Sequence, residues 1–120
     1  FKETPMADLF KSFAESFPAA EAVRLEEMIQ YGDDAVVSHT LAKSGAGTLT
    51  VFAFDKGQEL SEHTAPFDAF VQIADGNATL TVGGKKVPVA AGQSVLMPAG
   101  IPHAVYADTP MKMVLFMLRK

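Results

Sequence analysis

The chain has 120 residues, the usual size of one domain, and its 48% apolar and 20% charged composition is globular, which excludes a disordered acidic chain, a collagen-like chain or a coiled coil. Lys plus Arg number 10 and Asp plus Glu 14, a formal charge of -4 with no basic cluster, which argues against nucleic acid or an anionic membrane as principal partner. Without Cys there are no disulfides, thiolate metal sites or Cys nucleophiles, and with no apolar run near ~18 residues and no signal-peptide pattern the expected location is the cytoplasm.

The first segment reads as a helix. Met6, Leu9, Phe10, Phe13 and Phe17 recur at helical spacing, Thr4 can cap it, and Pro5 suits its first turn. Pro18 stops it or starts another turn, and a second short helical stretch can run through Ala19, Ala20, Ala22 and Val23. Residues 1–23 are thus a helical extension whose apolar stripe covers the open end or a face of the domain that follows, residues 24–120.

From about residue 24 the period changes to the alternation and short apolar blocks of strands. Strands are expected at 24–29, 35–42, 47–54, 59–63, 68–75, 78–82, 85–89, 94–98, 104–107 and 111–118, with Gly, Asp, Asn and Pro clusters between them. Gly83-Gly84 is a strong two-residue hairpin signal, because both positions of such a turn take a positive φ. Many short strands on short connections imply antiparallel pairing in a sandwich or barrel. The first strand, 24–29, is an edge free to pair with a second copy.

Two stretches carry the chemistry. Gly92-Gln93-Ser94-Val95-Leu96-Met97-Pro98-Ala99-Gly100-Ile101-Pro102-His103 turns at Gly92, runs as a strand, bends at Pro98-Ala99-Gly100 and delivers His103 on the next strand. The other runs from Gly57 through His63 to Gly76. In spacing, the pair resembles the two signature motifs of the cupin superfamily. That resemblance implies an all-β fold, a double-stranded β-helix or jelly-roll barrel with a short N-terminal helical segment, a pocket inside, and commonly a homodimer.

The full metal site of that family is similar to three His and one Glu. Here His63 and His103 occupy two of the four positions, while Ala65 and Ala69 stand at the others. Two imidazoles alone hold a divalent ion weakly, since catalytic sites normally supply three protein ligands. Asp68, beside the vacated Glu position, and Gln72 are the candidate third ligands for one Zn, Ni, Fe or Mn ion, provided a bulge turns Asp68 inward. If Ala69, Val71 and Ile73 face the interior, Asp68 and Gln72 point outward.

The expected function is therefore a barrel that binds a small molecule, a mostly apolar ligand or a compact carboxylic or aromatic metabolite. His63 and His103 are its polar anchors, with Tyr106, Phe54 and Met97 as further lining. The alternative is a metal-dependent dioxygenase, isomerase or lyase using His63, His103 and Asp68 or Gln72. His39 reads as a surface or rim histidine, and Glu26-Glu27 and Asp33-Asp34 as solvated acids. No Ser stands in a Gly-x-Ser-x-Gly context, and no glycine loop is followed by the Lys of a phosphate site.

Overall fold

The structure, a computed structural model, describes residues 17–119, so the expected helix centred on Met6 to Phe13 lies outside the described residues. The described part is built almost wholly from nine antiparallel strands: β1 (Val36–Ser44), β2 (Gly47–Phe54), β3 (Glu59–His63), β4 (Asp68–Asp75), β5 (Asn77–Val82), β6 (Lys85–Ala90), β7 (Ser94–Met97), β8 (His103–Ala107) and β9 (Met111–Leu118). They form a five-stranded sheet, β1-β2-β9-β4-β7, facing a four-stranded sheet, β3-β8-β5-β6. No described helix is long and apolar enough to cross a membrane.

Strand parity sorts the residues between two cores. Phe54, Val71, Ile73, Leu80, Val105, Met111 and Met113 point between the sheets and form the barrel core. The intervening Val51, Ala53 and Val114 point out from the five-stranded sheet and bury against Ile29, Leu41, Leu25 and Met28. Farther along that outer face, Phe70, Leu96, Phe116 and Leu118 are exposed. Phe70 is directly opposite both Leu96 and Phe116, so they form one apolar patch.

Residues 24–29 are not the edge strand expected. Leu25–Glu27 form a 3-10 turn, because Leu25, Met28 and Ile29 fall at a spacing of three to four and lay one apolar side onto the outer face of the sheet. That segment therefore offers no strand edge to a second copy. Residues 19–23 are a turn followed by irregular chain rather than a second helix. The segment is tied down by Lys112, whose Nζ donates to the Glu26 carbonyl and lies 4.9 Å from the centre of the Tyr31 ring.

The barrel has two distinct ends. The loops from β3 to β4 and from β7 to β8, the hairpin turns β1–β2 and β5–β6, and the C-terminal end of β9 lie together at one end, as the pairing registers require. Gly83 and Gly84, with φ of 57° and 82°, make the expected tight hairpin there. The remaining connections close the opposite end, where Phe54, Ile73 and Met111 are fully buried.

Candidate functional site

At the first end, His63 closes β3 and His103 opens β8, and the two residues are directly opposite across the ladder. Their Nε2 atoms lie 3.2 Å apart and their rings meet edge to face, 4.4 Å between centres. His103 is buried and His63 exposed, so the pair bridges the interior and the opening.

Each ring is fixed in the same way. His63 Nδ1 lies 2.7 Å from the Ser61 carbonyl oxygen and His103 Nδ1 lies 3.2 Å from that of Ile101. A carbonyl only accepts, so each Nδ1 carries the hydrogen and each Nε2 offers a lone pair to the other ring. The contact is attractive only with a proton on one of the facing nitrogens or a cation shared by both.

Loop contacts hold these rings in place. The Ala99 amide donates to Asp68 Oδ1 at 2.9 Å, and the Gly100 amide donates to the Ala65 carbonyl at 2.9 Å. Gly100, at φ 77°, lets the chain turn there. The Gly83 amide donates to the Pro102 carbonyl, docking the β5–β6 turn against the same loop.

Register places the remaining expected residues. Met97 lies in the site layer and is buried, opposite Ala69. Phe54 faces the interior but sits at the far end, fully buried in the barrel core. Tyr106 does not join the histidines. Three residues beyond His103, it takes the opposite face of β8 and lines an outer cleft of about 430 Å³ with Glu59, Thr79, Thr81, Lys86 and Asp108. Gln72 is exposed on the face of β4 opposite Val71 and Ile73, and Asp68, opposite Leu118, serves the Ala99 amide. His39 is exposed on β1.

The same registers complete the layer. Across the four-stranded sheet His63, His103, Val82 and Lys85 are successive neighbours on one face. Across the five-stranded sheet the corresponding row is Lys43, Thr48, Met117, Ala69 and Met97. Lys43 reaches this face because the bulge between Thr40 and Ala42 shifts the parity of β1 by one residue. Lys43 and Lys85 are exposed, and they are the charged residues at paired inner-face positions of the described strands. Below the layer the interior is apolar apart from the hydroxyls of β1 and β2, with Leu60, Leu115 and Phe52 half-buried.

The donor set gives a mixed fit to a metal ion. Two imidazole nitrogens on one tetrahedral zinc at about 2.0–2.1 Å stand about 3.3 Å apart, so the pair matches two adjacent coordination positions. Among the described residues no group of three His, Cys, Asp or Glu side chains gathers to complete such a site.

The family model of the cupin domain matches residues 50–118. A conserved protein of unknown function from Streptococcus pyogenes is similar at 37% identity, covering 91% of this chain and 96% of that one, with a TM-score of 0.86. A cupin superfamily protein from Desulfitobacterium hafniense shares the fold at 24% identity over 89% of this chain and 98% of its own, TM-score 0.84. A cupin conserved barrel domain protein from Leptotrichia buccalis is 38% identical over 78% of this chain, which corresponds to 46% of that longer chain, TM-score 0.76. No curated protein matches.

Proposed function

The chain belongs to the cupin superfamily, and from that premise we propose that it binds a small carboxylate through the His63–His103 pair at the open end of the barrel. The observation that carries this reading is the facing of two Nε2 atoms at 3.2 Å while both Nδ1 atoms are committed to carbonyls. On this reading a proton shared by the two rings puts a positive charge over an apolar interior. An anionic oxygen neutralises that charge, while the body of the ligand covers Leu60, Leu115 and Met117.

The test is a titration with butanoate, following the imidazole carbon-bound protons by NMR. Butanoate is expected to shift both sets of resonances in the wild type and to bind at least about tenfold more weakly to His103→Ala. Equal affinity in the variant removes the reading.

A second reading is supported by the 3.2 Å nitrogen spacing, which fits adjacent positions on one divalent ion. His63 and His103 would hold it weakly, and a chelating ligand would complete its coordination. When bound, the ion supplies Lewis acidity toward a ligand oxygen. Titration of Zn²⁺ into chelator-stripped protein checks this. One ion per chain, lost in His63→Ala, supports it, and no uptake by the wild type removes it.

A further inference from the structure

We infer that Lys43 and Thr48 form a second polar anchor facing the histidine pair, and that the ligand accordingly carries two anionic ends, as a compact dicarboxylate does. The inference rests on the carboxylate reading of the His63–His103 pair and extends it across the barrel.

Three observations converge on this wall. Thr48 Oγ1 is buried and, among the described residues, is the buried side-chain oxygen without a hydrogen-bond partner. Leaving such a group unpaired is costly, and a χ1 rotation that turns the hydroxyl into the interior lets an oxygen-bearing ligand relieve it. Its directly opposed neighbour on β1 is Lys43, brought to the same face by the bulge at Leu41. No hydrogen bond or ion pair among the described residues engages Lys43, an exposed residue at the same end of the barrel.

The position of this pair follows from register. Thr48 is opposite Met117, Met117 is opposite Ala69, and Ala69 is opposite Met97, a row closing the same end of the barrel as His63, His103, Val82 and Lys85. Sheets packed face to face stand about 10 Å apart, and side chains from both shorten the gap. A diacid of about four to six carbons spans what is left. One carboxylate meets the imidazoles, the other accepts from Thr48 and Lys43, and the methylenes lie on Met117 and Met97. Lys85, flanking Val82, adds a second cation to the rim beside the histidines.

The nearby hydroxyls of Thr40 and Thr50 are paired with one another at 3.3 Å. That contact engages both oxygens, so of the inner-face threonines of β1 and β2 Thr48 is the one without a partner.

The test compares succinate and glutarate with butanoate and pentanoate at ionic strength matched with NaCl, on the wild type, Thr48→Val and Lys43→Gln. The wild type is expected to bind each diacid at least about tenfold more tightly than the monoacid of equal length. Both variants are expected to lose that preference while holding monoacid affinity within about twofold. Thr48→Val, which replaces the unpaired hydroxyl by a methyl group of the same shape, is also expected to raise the melting temperature of the unliganded protein by roughly 2 °C.

Monoacid binding without a diacid preference, or a preference that survives in both variants, overturns this inference and leaves the histidine reading standing. If no acid of either series binds, both fall. A lowered melting temperature in Thr48→Val shows that the hydroxyl has a structural partner and overturns the anchor independently of any ligand.

Discussion

The two ends of this barrel are built from the same nine strands, yet they distribute packing and polarity in opposite ways. At the closed end Phe54, Ile73, Ala107 and Met111 have no measurable exposure. Polar groups there find partners on other elements: Tyr31 donates to Asp75 at 2.6 Å, Thr79 donates to Asp108 at 2.6 Å, and the Asn77 amide donates to Thr109 Oγ1 at 2.9 Å. At the open end Met117 and Val82 are only partly covered, two imidazole lone pairs face each other, and one threonine hydroxyl is unpaired. Stability is concentrated where donors and acceptors are matched, and the unmatched groups at the other end are the ones that would gain most from a ligand.

The sharpest way to break this comparison is to cut the core at each end. Phe54→Ala is expected to lose about 3–5 kcal/mol in denaturant unfolding, and Met117→Ala, half-buried at the mouth, about half as much. Only the second should weaken a carboxylate probe in the folded protein. If Met117→Ala is the more destabilising, the open end carries the stability and the contrast is wrong.

Glycines sharpen it further. Gly76 closes the β4–β5 turn at the packed end with φ 76°, and a Cβ there would lie 2.1 Å from the Pro110 carbonyl oxygen, a backbone atom that cannot swing away. Gly84 has a similar φ of 82° in the hairpin at the open end but nothing within 4 Å of the added carbon. Gly84→Ala pays only the left-handed backbone term, about 1–2 kcal/mol. Gly76→Ala adds a steric collision and is expected to exceed it by at least about 1 kcal/mol in matched thermal melts. Equal losses would mean that the closed end yields as readily as the mouth.

Much of this contrast was legible in the sequence, though not its depth. The turn chemistry of Gly83-Gly84 and Asp75-Gly76-Asn77, and the spacing that delivers His63 and His103, are local signals, and local signals specify strands and motifs well. Tyr106 is expected from its nearness to His103 to line the site, yet parity sets it on the other face, since three residues along a strand reverse the side. Phe54 shows the limit: alternation says that it points inward but not that it lies at the closed end. Lys43 and Thr48 belong to no motif. Their shared face depends on a bulge, and their place in the histidine layer depends on β2–β9 and β4–β9 pairing between residues some seventy and fifty positions apart. The segment at 24–29 differs from its expected strand because its apolar residues satisfy a strand block and a turn equally until the outer face of a sheet is there to receive them.

The smallest expected effect concerns the polar lacing of the closed end and its response to pH. Tyr31 is partly buried, and that desolvation, followed by its hydrogen bond to Asp75 and the carboxylate's charge, pushes the phenol well above the ordinary tyrosine range. A raised phenol pKa favours the neutral side chain in the folded state. Its contribution is complete below pH ~10, the ordinary tyrosine value, and is lost as pH climbs past that toward the folded-state value. Because Tyr31 is more than a third exposed, solvent screening keeps the effect small. Below pH 9, Tyr31→Phe is expected to cost no more than about 1 kcal/mol, the worth of one hydrogen bond. Above pH 10 the wild type loses stability faster than the variant, so their melting temperatures converge. Parallel melting curves across that range would show that the Tyr31–Asp75 contact does not hold the closed end, and that packing alone distinguishes it from the mouth.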